Sequence, residues 1–355
     1  MSTLDRLELI ARLRTALEEV MIVEAYTAHP DGRVSLRGQL RLPPEEAYRQ
    51  LRPRVEGVGY TPYLRAAGER HEVLAVPGVV PPFRPNPALN LALFIATVVS
   101  VIFTGGLTAN GYDLASGLMF GASLLGILGV HEAGHYLVGR LRGARVSLPY
   151  FIPLPAPLSF VGTLGAVIVQ PEPYESRRTL LEIAVAGPLA GFILAVPLLV
   201  VGLWLSEVQR LPPPGEYLTL GDSLLTRLVS LARFGQAYPA DGYDIVLHPI
   251  GLGAWIGLLI TAINLIPAGQ LDGGHIAYAL LGPRARYLSY AMVVVMLGLS
   301  LIATTWLLWA VLIFLFGRHH PPPLNEAARL QPHHYALVVV AVLVLALTFV
   351  PRPIY

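Results

Sequence analysis

Cysteine is absent from the 355 residues, which excludes a disulfide framework, a thiolate metal site and a thiol nucleophile. Lysine is absent too. All 25 basic residues are arginine, which we read as a coding bias, because the trend in hyperthermophiles runs towards more lysine. Charge of either sign is scarce. Only 14% of residues are charged, against about 25% in an ordinary soluble chain. The net charge of +2 leaves no electrostatic footprint for nucleic acid. Apolar residues fill the gap, at 54% of the chain and a mean hydropathy of +0.58. One soluble core cannot hide that much apolar surface. The composition therefore indicates an α-helical polytopic membrane protein and excludes disordered and collagen-like chains.

The little charge there is clusters at one end. Residues 1–87 hold 12 arginines and 11 acids, and the other 268 hold 13 and 12. A small soluble α+β domain over residues 1–76 is expected, followed by a stiff Pro-rich linker over 77–87 and a membrane-embedded domain over 88–355. The first part reads as α-β-β-α-β-β. Leu4–Val20 has apolar residues at helical spacing, and Pro44–Val55 forms a second helix. Met21–Thr27 and Val34–Leu42 are strands separated by His29-Pro30-Asp31-Gly32, and Tyr60–Ala67 and His71–Val76 form another hairpin across Gly68-Glu69. The first long apolar run begins near residue 88, so no signal or transit peptide is expected.

A span needs about 20 mostly apolar residues. Spans are expected at Ala88–Leu107, Leu114–Val138, Leu180–Ser206, Ile250–Pro267, Tyr287–Ala303, Thr304–Phe316 and Tyr335–Val350. That makes six or seven, depending on whether 287–316 forms one span or a tight hairpin. No internal repeat is visible, which disfavours an inverted-repeat transporter. Arginine orients the spans. Five lie in the loop 139–179 (Arg140, Arg142, Arg145, Arg177 and Arg178), and Arg284, Arg286, Arg318 and Arg329 follow in later loops on that side. The opposite side has none in 108–113 and three in 207–247, where Thr219–Phe234 reads as an amphipathic surface helix. The expected setting is a cell membrane, inner or plasma, with the N-terminal domain cytoplasmic.

Ionisable residues within spans mark function, and few exist. The second span carries His131-Glu132-Ala133-Gly134-His135. The end of the fourth carries Asn264-Leu265-Ile266-Pro267-Ala268-Gly269-Gln270-Leu271-Asp272-Gly273-Gly274-His275. Both spans run towards the cytoplasm, so the two clusters reach the same depth. In HExxH the two histidines share a helix face and can hold one metal, with the glutamate beside it. The plain alternative, two histidines satisfied by polar neighbours, leaves Glu132 at a depth where a charge costs about 2.5–3.5 kcal/mol. A hydrolytic zinc site wants three protein ligands and one open position. Asp272, the only acid of its span, is the expected third ligand, against the alternative of a cap at an interfacial turn. Pro267 and Gly269 should end the helix, and Gly273-Gly274 should supply a sharp turn with φ > 0. His275 is expected outside the ligand set.

With HEAGH in one span and NLIPAGQLDGGH at the end of another, the sequence resembles the site-2 protease family of intramembrane zinc metalloproteases. Phe160-Val161-Gly162-Thr163-Leu164-Gly165-Ala166 resembles that family's glycine-rich segment. Ala186-Gly187-Pro188 also matches. Arg318-His319-His320-Pro321-Pro322 is similar to the C-terminal signature of a branch that has a soluble N-terminal domain and includes chloroplast and cyanobacterial members. The PDZ-like and C-terminal regulatory domains of other branches have no counterpart in the sequence. The resemblance implies cleavage of peptide bonds in or near transmembrane segments of other membrane proteins. It implies one Zn²⁺ per chain on His131, His135 and Asp272, Glu132 as general base, and Asn264 as a hydrogen-bond partner of substrate backbone.

A helical substrate must be unwound locally before its carbonyls are accessible. The apolar Val146–Val169 segment, rich in Pro and Gly, is expected to form a membrane-embedded β-hairpin. Its edge near Gly162, Thr163 and Gly165 is placed to pair with substrate by strand addition, the alternative being a plug that only seals the bundle. The partners expected are thus substrate transmembrane segments and the lipid bilayer, with no nucleic acid. Other classes fit less well. A di-iron oxygenase needs more histidine boxes. A serine intramembrane protease needs GxSG, and an aspartyl one lacks a GxGD partner for Tyr112-Asp113 or Tyr243-Asp244. A membrane metal transporter has no use for Glu132 beside the histidines, and an inactive substrate-binding homologue would not need the complete motif pair.

Overall fold

A computed structural model describes residues 3–81, 86–108, 111–212, 219–316 and 320–354. Part of the expected linker (82–85) and the Arg318-His319 start of the C-terminal signature lie outside these residues. The chain divides into two compact units.

The first unit contains α1 (Thr3–Leu17), β1 (Met21–Ala28), β2 (Val34–Leu40), α2 (Pro44–Glu56), β3 (Tyr60–Ala67) and β4 (Arg70–Pro77). The strands form one antiparallel sheet in the order β1-β2-β4-β3. Leu13 and Leu17 of α1 and Tyr48, Leu51 and Val55 of α2 pack over Leu36, Leu64, Val73 and Ala75 of the sheet. Burial pushes the Tyr48 phenol well above its ordinary pKa, so it stays a donor, and it hydrogen-bonds the Pro62 carbonyl at 3.0 Å.

This unit also takes in two distant segments, Pro171–Leu180 and Pro321–Pro332. The Leu64 amide donates to the Leu324 carbonyl at 2.7 Å, and the Glu326 amide donates to Leu64 at 2.9 Å, so 324–326 runs along the free edge of β3. Leu324 and Asn325 amides bond in turn to Tyr174 and Glu175 carbonyls. The Asn325 side chain, fully buried, donates to Pro44 and accepts from Ala327. Arg52 pairs with Glu172 at 2.7 Å, and Arg178 pairs with Glu45.

The second unit is mostly helical. It begins with α3 (Pro87–Gly105), the short pair β5 (Leu107–Thr108) and β6 (Gly111–Tyr112), and α4 (Leu114–Leu141). Next come β7 (Tyr150–Leu154), β8 (Gly162–Val167), α5 (Arg177–Leu205), β9 (Glu207–Arg210), α6 (Leu224–Phe234) and β10 (Tyr243–Val246). The chain ends with α7 (Pro249–Asn264), α8 (Asp272–Leu281), α9 (Ala285–Leu299), α10 (Thr305–Phe316) and α11 (Pro332–Thr348). The first four residues of α5 belong to the first unit by their contacts. Among the described residues α3, α4 and α5 are each long and apolar enough to cross a membrane. The break expected within 287–316 falls between α9 and α10. The amphipathic helix expected at Thr219–Phe234 is α6, begun by a Ser223–Thr226 capping box.

Helix ends and small residues set the helix positions. Asp113 caps α4 by accepting from the Ala115 and Ser116 amides. A Cβ on Gly117 would overlap the Ile102 carbonyl of α3, so this GxxxG with Gly121 serves close helix packing. On α7, Gly253 and Gly257 face Phe120, Ser123 and Ile127 of α4, leaving no room for a Cβ at either position. Ser123 also donates to the Ile250 carbonyl at 2.9 Å. This glycine face draws α7 against α4 and brings Asn264, at the end of α7, beside His131.

The region after α7 differs in part from expectation. The helix is broken around Pro267 and Gly269, as expected, with α7 ending at Asn264, but Asp272 then opens a separate helix, α8, after a turn in which Gly269 carries the positive φ of 62°. Gly273 and Gly274 are helical and buried, with no positive φ. Their lack of a side chain serves close approach instead, since a Cβ there would overlap the Leu265 and Gly269 carbonyls. A turn that folds back this tightly leaves no space beneath the first turn of α8.

Candidate metal centre

His131 and His135 lie one turn apart on α4, and Asp272 lies in the first turn of α8. Their ligand atoms form a nearly equilateral triangle. His131 Nε2 and His135 Nε2 are 3.2 Å apart, and Asp272 Oδ2 is 3.4 and 3.3 Å from them. Bonds of about 2.0–2.1 Å to a tetrahedral metal give ligand–ligand edges of about 3.3 Å, so the donor set fits one small divalent cation with a fourth position open. His131 is buried at 2% exposure, while His135 and Asp272 keep 12% and 15%. The N-terminal position of Asp272 in α8 also favours its charged form electrostatically.

Neighbouring groups orient the ligands. His135 Nδ1 donates to the Ile183 carbonyl of α5 at 2.7 Å, which leaves Nε2 as the acceptor facing the metal position. Gly187 of α5 lies flat against the same ring, where a Cβ would overlap Nε2. Gly191, one turn on, lies against His131, and Gly134 of α4 meets the Ala186 carbonyl. Sequence reasoning noted Gly187 only as part of a resemblance and missed Ile183 and Gly191. The spacing of Gly187 and Gly191, four residues apart in an apolar helix, was the available signal.

The remaining site residues are placed as follows. Glu132 is buried beside His131 on α4. The Asn264 amide nitrogen, at the end of α7, lies 3.3 Å from His131 Nε2. His275 Nδ1 lies 2.7 Å from His320 Nε2, and His320 stacks on Tyr278. The expected hairpin is the antiparallel pair β7–β8. Within it the Thr163 hydroxyl donates to the Ile152 carbonyl at 2.8 Å and accepts from the Gly165 amide at 3.0 Å. Gly162 packs against the α3 backbone at Val101, and its carbonyl accepts from Ser100 at 2.6 Å. Of the three, Gly165 faces open space, at φ 93°. Ser176 caps α5, while Glu182 is bound to Arg142 and His334.

Comparison with known proteins follows the same lines. The chain is 31% identical over 338 residues to "Probable zinc metalloprotease EGY2, chloroplastic" of Arabidopsis thaliana, covering 89% of this chain and 60% of that protein. It is 32% identical over 248 residues to "Probable zinc metalloprotease EGY1, chloroplastic" of the same plant, covering 67% and 43%. With "Probable zinc metalloprotease EGY3, chloroplastic" of Oryza sativa subsp. indica it shares 25% over 366 residues, covering 91% and 60%. The chain thus spans about 60% or less of the length of these relatives. No solved structure matches it. The model of peptidase family M50 matches residues 119–305, a stretch that holds HExxH, the hairpin, the Gly187 face and Asp272, and the chain belongs to that family.

Proposed function

We propose that the protein is an intramembrane zinc metalloprotease that hydrolyses peptide bonds in or near transmembrane segments of other membrane proteins. The observation that carries this reading is the triangle of His131, His135 and Asp272, of the size a tetrahedral metal needs, next to a buried Glu132. Zinc on these three residues would polarise the scissile carbonyl and lower the pKa of a bound water towards about 7. Glu132 takes a proton from the attacking water as its oxygen bonds to the carbonyl carbon. It then delivers that proton to the leaving nitrogen as the C–N bond breaks. Asn264, beside His131, donates a hydrogen bond to the scissile carbonyl oxygen as negative charge develops there.

The substrate strand is received along the edge of β8 that β7 leaves unpaired, near Gly162, Thr163 and Gly165. Thr163 acts by bracing the hairpin, and Gly165 lets substrate backbone approach. The membrane-embedded domain runs over 88–355 after a linker at 77–87 and a soluble domain at 1–76, the latter completed by the segments 171–180 and 321–332. Helices α3, α4 and α5 cross the bilayer, and α7, α9, α10 and α11 bring the crossings to seven, or to six where α9 and α10 count as one. The arginine distribution supports a cytoplasmic N-terminal domain in an inner or plasma membrane.

The test is Glu132→Gln in detergent-purified protein, assayed against a panel of single-span membrane proteins. Zinc per chain should stay unchanged while cleavage falls by at least about 10²-fold, the lower bound for losing a general base. Cleavage at the wild-type rate in this variant would remove Glu132 from the chemistry.

A further inference from the structure

Outside the centre described above, a second group of ligating side chains converges within the helical unit. Glu182 stands near the start of α5, and His333 and His334 open α11. One ligand atom from each lies within 4.8 Å of the others. His334 is buried at 1% exposure, with Nε2 3.2 Å from Glu182 Oε1. The His333 ring lies 4.0 Å from that of His334, tilted by 32°. We propose that Glu182, His333 and His334 form a second divalent-cation site, with zinc as the ion it takes, which ties the C-terminal helix α11 to α5.

The donor set carries the choice of ion. Two imidazoles and one carboxylate suit a borderline cation such as zinc, whereas magnesium and calcium take oxygen ligands. The position in the fold supplies a use for it. His333 and His334 are about 150 residues from Glu182 in sequence, and a metal bond between α5 and α11 pins an element that follows a long connection. Among the described residues Glu182 is bound to Arg142 and His334 and to none of His131, Glu132, His135 and Asp272, so this site is separate from the candidate catalytic centre and is tested independently of it.

Three features oppose a cation here and set its affinity. Arg142 holds the Glu182 carboxylate with both Nε and Nη2. The first turns of α5 and α11 each present the positive end of a helix dipole. Arg142 is largely exposed, so its guanidinium can turn to solvent when the carboxylate binds metal. The second site should therefore bind more weakly than the first and empty first under a chelator.

The experiment uses full-length protein in detergent, equilibrated with excess Zn²⁺, desalted and analysed for zinc per chain. About two zinc per chain are expected for the wild type, one from each of the two groups, and about one for His333→Ala and for Asp272→Ala. A graded chelator series should remove the His333-dependent zinc at a chelator concentration about tenfold lower or more. His333 is exposed, so its loss removes a ligand without opening the core. Glu182→Gln, of nearly equal size, provides a second variant should His333→Ala fold poorly. A wild type with about one zinc, lost in Asp272→Ala and retained in His333→Ala and Glu182→Gln, overturns this proposal and leaves the catalytic centre intact. A second zinc that neither variant removes also overturns it, as adventitious binding elsewhere. Loss of zinc in His333→Ala with no loss in Asp272→Ala would uphold the second site and remove Asp272 from the first.

Discussion

Gly187 shows how a residue without a side chain can govern a candidate metal ligand. Its Cα lies where any Cβ would overlap the imidazole of His135, and the Nδ1 edge of that ring is held by the Ile183 carbonyl. The Gly187→Ala variant should displace the ring and weaken zinc binding by about 10–100-fold, the usual effect of disturbing a ligand's support. Competition with a chromogenic chelator measures this, and wild-type affinity would show that the ring has room to shift. HExxH could be read in the sequence because its two histidines are one helical turn apart, a spacing fixed by local geometry. Asp272 could be read because it is the only acid in an apolar stretch. Ile183 was not legible, since any residue offers a backbone carbonyl and only the packing selects which one.

Helix contacts place those residues against each other. Gly253 and Gly257 of α7 accept the α4 backbone and side chains with no room for a Cβ, which is how Asn264 comes within 3.3 Å of His131. Gly257→Val should force the pair apart, costing about 1–3 kcal/mol as an overpacked contact. It should lower both the melting temperature and the zinc content, and a variant that loses stability while keeping full zinc would uncouple the packing from the site. The hairpin gives a second prediction at this scale. Gly165 faces open space at φ 93°, so Gly165→Ala meets no collision there and adds strain of about 1 kcal/mol. If β8 receives substrate, cleavage should fall while zinc per chain holds; cleavage at the wild-type rate would leave the hairpin as a plug. The turn before Asp272 was legible only as a break. Gly273 and Gly274 read as turn residues, but their role depends on the Leu265 and Gly269 carbonyls packed beneath them.

The first unit is a composite of three segments far apart in sequence. Its sheet ends at β3, whose outer edge is paired by residues 324–326 and buried further by 174–176. A fragment of residues 1–81 would therefore expose that edge and lose the buried Asn325 contacts. Unpaired edges invite association between chains. We expect the isolated fragment to be less stable than the same unit within the whole chain and to self-associate, measured by hydrogen exchange at β3 and by light scattering. A monomeric fragment with native protection at β3 would show that 1–81 suffices. The alternation of strands and helices in this unit was legible because period and turn residues are local. The contribution of 171–180 and 321–332 was not, because both read as polar connections between apolar segments.

The sequence by itself pointed to a membrane protein and brought four residues forward as a candidate metal site. Composition sets how much apolar surface must be hidden, and ionisable residues within an apolar span are costly enough to mark a site. The tertiary structure decided which groups surround those residues, from the Ile183 carbonyl and the Gly187 face to the Glu182–His334 pair and the segments that complete the first sheet. These depend on contacts between residues tens to hundreds of positions apart. No local period or propensity encodes such contacts, and only packing of the whole chain brings them together.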